Sequence, residues 1–315
     1  MFEVARTDGI ANVEFLNHVL DGLTAQHKAL NPKYFYDEQG SYIFDQICDL
    51  KEYYPYQAEL SLLPKIAAEL NVILQSEQSV VEFGAGAVKK IQPLLSLIKS
   101  IKNFTAIDIS GEHLRSACAT LQAEFPNIDI RAVEADFCKP VELKSEVKEN
   151  RLGFFPGSTI GNFTPMEARR FLSNAKQSLG ANSKFLIGVD TKKSPIQLHH
   201  AYNDAQGVTA QFNKNVLERI NRELDCDIDV AKFEHYAFFN VAKGCIEMHL
   251  VSLVEQSIDI DGVEIKFDVG ESIHTESSYK YSPKQFEALA SDAGWKVEKT
   301  WLADGDMFSA FLLSC

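Results

Sequence analysis

Between residues 79 and 190 the chain repeats one pattern, a short apolar run followed by a stretch with helical character. The apolar runs are SVVEFGAG (79–86), NFTAIDIS (103–110), IDIRAVEADF (128–137), RLGFFPGS (151–158) and SKFLIGVD (183–190). Runs this short and this continuously apolar suit strands buried on both faces of a parallel sheet. Between two of them, Leu114, Ala117, Cys118, Leu121 and Phe125 follow a 3.6-residue period, with Ser110 placed to cap the helix. Thr164-Pro165-Met166-Glu167 reads as a capping box with proline at the first helical position. Phe171, Leu172, Ala175 and Leu179 then form a buried stripe, and Gly180 ends it. Alternating elements of these lengths predict an α/β fold built on a doubly wound sheet. Near the C-terminus, Ser282-Pro283-Lys284-Gln285 opens another helix, carrying Phe286, Leu289 and Ala293 and closed by Gly294. WKVEKTWL and MFSAFLL follow, joined by ADGD. A DG turn between apolar runs indicates a hairpin, so the sheet is expected to end in an antiparallel strand.

Two regions stand outside this alternation. Residues 1–57 are helical in pattern and rich in aromatics; residues 192–280 hold a long helical stretch and then strands around CIEMHLVSLVE and VEIKFDV. DIDG (259–262) has a faint likeness to a calcium loop but lacks the remaining spaced carboxylates, and reads as a hairpin turn. The expected organisation is therefore one domain of 58–191 and 281–315 and a second, α+β domain of 1–57 and 192–280.

Charge and composition narrow the function. Lysine and arginine number 31 against 44 acids, a net charge of −13, which argues against non-specific nucleic-acid binding. The N-terminal MFEVARTDGIANVEF has neither a basic nor an apolar signal region, and no apolar window is long enough to span a membrane. The six cysteines are scattered with no CxxC pair, as expected of free thiols in a reducing cytoplasm. The eight histidines include His199-His200 but no second cluster at ligand spacing, so no metal is expected.

The strand ends carry the chemistry. The first run ends in Gly84-Ala85-Gly86, which lets a ligand approach the backbone closely. Asp108 lies 22 residues past Gly86, at the end of the second run, where a carboxylate can accept both hydroxyls of a ribose. Asp136-Phe137 ends the third, setting an acceptor for an adenine amino group beside an aromatic face. A nicotinamide site usually shows a full GxGxxG, because a helix N-terminus binds its pyrophosphate. Here the run is GAGAVKK, with Val88 and Lys89 where a third glycine belongs. An adenosine-bearing cofactor without phosphate, S-adenosylmethionine, fits better.

Beyond these ends, AIDIS, EADF, FFPGSTIGNFTP, LIGVDTKK, AYNDAQGVTAQFNKNVLERINREL and IHTESSYKYSP, with the N-terminal PKYFYDEQGSYIFDQICDLKEYYP, give the chain a resemblance to the S-adenosylmethionine-dependent histidine Nα-methyltransferases. These enzymes make hercynine, trimethylated histidine, for ergothioneine synthesis. The resemblance runs from about residue 30 to the end and implies the class I methyltransferase form of the doubly wound sheet. It implies that Gly84, Gly86, Lys90, Asp108, Asp136, Phe137 and Tyr36 bind the cofactor. Asn162, in FFPGSTIGNF, corresponds to a contact to the amino acid's main-chain groups, Tyr202 to one with its carboxylate, and Tyr53 to one near its amine. Glu276 and Ser278 correspond to imidazole contacts. Two apart on an extended segment, they share a face; the carboxylate accepts an N–H and the hydroxyl serves the other nitrogen. Tyr36, Tyr53 or a water assists loss of the amine proton. Tyr34-Phe35-Tyr36 and Tyr53-Tyr54 offer aromatic faces to a growing cation. The chain departs from the family's hydroxyl-bearing first loop, with Ala85, Ala87 and Val88, leaving backbone amides and Lys90. It also departs after Asp108, where Ile109-Ser110 stands in place of a second acid.

The expected protein is a cytoplasmic enzyme, monomeric or a weak homodimer, acting on a small amino acid and binding neither nucleic acid nor membrane. Three alternatives stay open on the sequence. They are methylation of the imidazole of a thiolated histidine, as on an ovothiol-like route; a non-catalytic binding module; and an NAD-dependent oxidoreductase.

Overall fold

The computed structural model describes residues 8–74, 76–143 and 151–315. Residues 1–7, part of the N-terminal segment read above for a signal, lie outside the described residues. In chain order the elements are α1 (Asp8–Thr24), α2 (Glu38–Asp49), α3 (Tyr54–Ile73), β1 (Gln78–Phe83), α4 (Gln92–Leu97), β2 (Ile101–Asp108), α5 (Gly111–Glu124), β3 (Asp129–Glu134) and β4 (Arg151–Phe155). There follow α6 (Pro165–Leu179), β5 (Lys184–Asp190), α7 (Pro195–Tyr202), α8 (Val208–Leu224), β6 (Phe233–Asn240), β7 (Cys245–Ser252), β8 (Gln256–Ile260) and β9 (Val263–Phe267). The last are β10 (Ser272–Tyr279), α9 (Pro283–Asp292), β11 (Lys296–Leu302) and β12 (Phe308–Ser314). The chain divides into two compact units, Met1–Glu52, Pro195–Asn240 and Ile246–Ser277 in the first, and Tyr53–Ser194, Val241–Cys245 and Ser278–Cys315 in the second. These bounds differ from those read off the sequence by a few residues. α3 is continuous from Tyr54, and Lys193, Ser278 and Lys280 hydrogen-bond within the second unit.

In the second unit seven strands form one sheet in the order β11-β12-β5-β4-β1-β2-β3. β1, β2, β3, β4 and β5 pair in parallel, while β12 is antiparallel to both β5 and β11. That is the expected doubly wound sheet with an antiparallel last strand. Every residue of β1 is buried, Val80, Val81 and Phe83 in the apolar core and Gln78, Ser79 and Glu82 as buried polar groups. One face packs Leu63, Ile66, Leu70 and Leu114 against Val80 and Phe104; the other packs Phe171, Leu172, Phe286 and Trp295 against Val81 and Phe155. The predicted capping box forms at Thr164–Glu167, and the helix expected from Ser282 also starts with one, Ser282–Gln285. Ser110 stands at the N-cap of α5, but its side chain makes no capping bond to the helix. Gly305 (φ 66°) makes the β11–β12 connection a short helical turn.

The first unit contains α1, α2, α7 and α8, the three-stranded order β10-β7-β6 and the β8-β9 hairpin. DIDG is that hairpin's turn. Asp261 and Gly262 have φ of 50° and 80°, and the Gly262 N–H donates to Asp259 Oδ1.

Candidate active site

The turn after β1 is shaped by its glycines. Gly84 and Gly86 have φ of 67° and 49°, where an L side chain is strained. A Cβ at Gly84 would also lie 3.2 Å from Cε1 of Phe137, whereas one at Gly86 would meet no atom within 4 Å. Asp108 holds this turn from the end of β2, because its Oδ2 accepts the Gly86 N–H and its Oδ1 the Ser110 N–H, both at 3.0 Å. A carboxylate oxygen has two lone pairs, so acceptor capacity remains. At the end of β3, Asp136 Oδ1 accepts the Cys138 N–H at 2.9 Å. Phe137 is partly exposed and packs edge-on to Phe155 and Phe171, with centroids 5.7 and 6.0 Å away. Glu82, inside β1, is fully buried with Oε2 unpartnered. Burial pushes its carboxyl well above the usual range, Lys90 partly opposes this, and Glu59 and Asp108 add to it.

Lys90 is not an open cation. Its Nζ lies 2.7 Å from Oε2 of buried Glu59 and sits over the ring of Tyr56. The same Glu59 oxygen accepts the Gly157 N–H at 2.8 Å, so α3, the glycine turn and the end of β4 meet at one carboxylate. The segment GSTIGN folds accordingly. Gly157 has φ 80° and Ser158 φ 57°. Ser158 Oγ accepts the Asp190 N–H at 2.8 Å. At Gly161 a Cβ would fall 2.7 Å from the Tyr279 carbonyl oxygen. The small residues of this segment thus serve close backbone approach, and they end at Asn162 in a helical turn of Thr159–Asn162.

Beyond β5 lies a buried charged cluster. Asp190 Oδ2 accepts from Tyr54 Oη (2.7 Å) and from Lys280 Nζ (2.8 Å), and Oδ1 from Lys193 Nζ (2.5 Å). Lys193 also donates to Tyr54 Oη and Thr191 O, and Lys280 donates to Ser278 Oγ at 2.9 Å. Burial raises the Asp190 pKa, but Lys280 and Lys193 outweigh it and hold the carboxyl below the usual range. Burial lowers Lys193 to about 8, with Asp190 opposing and Lys280 reinforcing the fall.

In the first unit, Tyr36 packs edge-on to Phe44 and Phe212, both at 5.6 Å between centroids. Tyr34 and Phe35, read above as offering open aromatic faces, are core residues, 7% and 1% exposed. Tyr34 packs on Phe15 and Phe35 on Phe212. Tyr202 ends α7 buried, and its carbonyl accepts from His235 Nε2 at 2.9 Å. Asn213 donates Nδ2 to His235 Nδ1 and accepts at Oδ1 from Thr275 Oγ1, next to Glu276. His235 is thereby the neutral tautomer with its hydrogen on Nε2; burial lowers its pKa, with the Tyr202 carbonyl opposing. Glu276 and Ser278 are 7% and 4% exposed, so the pair is no solvated strand edge.

Of the expected site residues, Tyr36, Tyr202 and Glu276 belong to the first unit. Tyr53, Gly84, Gly86, Lys90, Asp108, Asp136, Phe137, Asn162 and Ser278 belong to the second. Sequence reasoning missed Glu59, Asp190, Lys193 and Lys280. Asp190 had a usable signal, since it ends a strand as Asp108 does. The lysines had none, because lysine is almost never fully buried.

Residues 15–315 match the family model described as histidine-specific methyltransferase, SAM-dependent. The chain is 39% identical over 285 residues to a histidine N-alpha-methyltransferase of Mycolicibacterium smegmatis, covering 89% of this chain and 88% of that protein. It is 36% identical over 301 residues to one of Mycobacterium tuberculosis, covering 93% and 92%. An ergothioneine biosynthesis protein 1 of Neurospora crassa is 28% identical over 287 residues, 84% of this chain and 31% of that one.

Proposed function

We infer that this chain, which belongs to the histidine-specific, S-adenosylmethionine-dependent methyltransferase family, methylates the α-amino nitrogen of L-histidine, up to hercynine, in ergothioneine biosynthesis. The observation that carries this is the family match over 15–315, which spans both compact units and not the sheet alone. We place the reaction in the cytoplasm and take the enzyme to be a monomer or weak homodimer; among the described residues no helix is long and apolar enough to cross a membrane.

The second unit's strand ends suit the cofactor. Gly86 leaves space beside its backbone, Asp108 keeps lone pairs for a ribose, and Asp136 with Phe137 offers an acceptor and a ring face. In this reading Gly84, Gly86, Asp108, Asp136, Phe137 and Tyr36 hold S-adenosylmethionine, and Lys90 acts from within its Glu59 ion pair. Bound there, the cofactor supplies an electrophilic methyl group on positive sulfur.

The chain's own residues do the rest. Asn162 and Tyr202 hold the substrate's main-chain groups, Tyr53 its amine, and Glu276 and Ser278 its ring. Held this way, the nitrogen pays little further entropy at reaction. It must be unprotonated, and each transfer releases one proton, which passes through Tyr36, Tyr53 or water.

Mass spectrometry of the purified chain with histidine and S-adenosylmethionine is expected to show one, two and three added methyl groups on the α-nitrogen. Methylation of thiolated histidine alone, on its ring, overturns the reading in favour of the ovothiol-like one. Ligand binding without turnover overturns it in favour of a binding module. Glu276→Ala is expected to raise the Michaelis constant for histidine by roughly 5–150-fold, since stranding a buried polar partner costs about 1–3 kcal/mol. An unchanged constant removes Glu276 from the substrate site.

A further inference from the structure

A lysine beside a glycine turn at a strand end has the parts of a phosphate site, since backbone N–H groups and an ammonium together commonly hold nucleotide phosphates. Gly84-Ala85-Gly86 with Lys90 is such a turn. Adenosine phosphates would then compete there with any other ligand that carries adenosine. The fold gives the ammonium a partner. Glu59 Oε2 lies 2.7 Å from Lys90 Nζ, and among the described residues no second carboxylate pairs with this lysine. The neighbouring Lys89 is exposed, where water and salt screen its charge. Glu82, close enough to feel both charges, is held by burial toward its neutral form.

Packing alone gives no reason for an acid at this place on α3. Leu62, Leu63 and Ile66 of the same helix are buried and apolar, and a carboxylate is costly to bury unless it is paired. Lys90 keeps 16% of its side chain exposed against 2% for Glu59; lysines so placed ordinarily carry the ammonium to water. β5 makes room for the acid, because a Cβ at Gly188 would fall 2.0 Å from Glu59 Oε1. Both donors, Lys90 Nζ and the Gly157 N–H, meet the same oxygen, Oε2. The arrangement fixes the ammonium and at the same time cancels its charge.

We propose that Glu59 is a specificity-determining positioning residue of the cofactor site: by fixing and charge-balancing Lys90, it makes the glycine turn accept an adenosine-bearing ligand whose far end is zwitterionic and reject one whose far end is anionic. This rests on placing the cofactor at the strand ends of the second unit. The amino-acid end of S-adenosylmethionine carries a carboxylate and an ammonium on one carbon. Lys90 has hydrogens left for the carboxylate, and the ligand's own ammonium offsets the negative charge of Glu59. A phosphate chain brings negative charge with no ammonium, so it meets Glu59 uncompensated, and the like charges reject it.

Calorimetry with S-adenosylhomocysteine, its decarboxylated analogue and ADP tests this, because a loss of folded protein changes the stoichiometry and not Kd. The unmodified protein is expected to prefer S-adenosylhomocysteine to ADP by about 100-fold or more, the scale of like-charge rejection. In Glu59→Gln the amide oxygen can still accept from both Lys90 and Gly157 through its two lone pairs, so the hold is kept and only the charge is removed. ADP is expected to bind that variant about 10-fold more tightly. Lys90→Gln leaves the opposite charge, and is expected to move the preference from S-adenosylhomocysteine toward the decarboxylated analogue by about 10-fold; it carries the test should Glu59→Gln fail to fold. With both substitutions together, ADP should bind no more tightly than to the unmodified protein. If Glu59→Gln weakens S-adenosylhomocysteine and leaves ADP no tighter, Glu59 is only a structural clamp and the proposal falls. It falls as well if the gain for ADP survives the loss of Lys90, or if the unmodified protein holds ADP as tightly as S-adenosylhomocysteine. In each of those cases S-adenosylhomocysteine still binds the unmodified protein, so the cofactor assignment stands and only the role of Glu59 is overturned. If the unmodified protein does not bind S-adenosylhomocysteine, that assignment falls and this proposal with it.

Discussion

Asp190→Ala is expected to destabilise the protein by about 3–5 kcal/mol, the scale of breaking a buried ion pair and leaving its partner uncompensated. Here the loss strands two ammonium groups, Lys193 and Lys280, and removes the acceptor for Tyr54 Oη. Neither lysine reaches water without displacing packed structure. The pH dependence separates this from a plain packing defect. Burial already holds Lys193 at about 8, below its ordinary 10.5. Between those values the unfolded chain binds more protons than the folded one, so this group's contribution to stability rises with pH across that window. Without Asp190 the opposing attraction vanishes, Lys193 sheds its proton more readily, and the rise begins at lower pH. The gap between unmodified protein and Asp190→Ala should therefore be largest at mildly acidic pH and narrow through neutrality toward pH 10. Urea unfolding at a series of pH values measures it. A gap that is constant with pH would mean that the charges are not what Asp190 supports.

That cluster also marks where sequence reading stopped. The sheet was legible because five apolar runs and their intervening helices obey simple periods, and because capping boxes at Thr164 and Ser282 announce themselves locally. The strand-end residues Gly84, Gly86, Asp108 and Asp136 were legible because a parallel sheet gathers its carboxyl ends on one edge. Glu59, Lys193 and Lys280 were not, since their partners lie 31, 3 and 90 positions away, and nothing local distinguishes them from solvated charges. Tyr34 and Phe35 failed in the opposite direction. Aromatics in a run suggested exposed faces, yet the chain turns both into the core around Phe15 and Phe212. The glycines of GSTIGN carry two demands at once, and only the contact of Gly161 with the Tyr279 backbone separates them.

Asp108→Ala is expected to weaken binding of S-adenosylhomocysteine by about 100-fold, as each hydrogen bond to a charged group is worth about 1.5–3 kcal/mol. The carboxylate does two things that an alanine cannot. It accepts the Gly86 and Ser110 N–H groups, holding a turn whose glycines sit at positive φ, and its remaining lone pairs are the proposed acceptors for the ribose. Asp108→Asn tests the first of these separately. Asparagine keeps the shape but has one carbonyl oxygen for two N–H donors, and its NH2 opposes the other. One backbone bond is lost, the turn loosens, and affinity should fall nearly as far as in the alanine variant. Asp108 is only partly buried, and both freed N–H groups border the partly exposed Gly86 and Ser110. Thermal unfolding without ligand should therefore change little. Calorimetry of S-adenosylhomocysteine binding measures the loss; an affinity within threefold of the unmodified protein would place the cofactor's ribose elsewhere on the sheet.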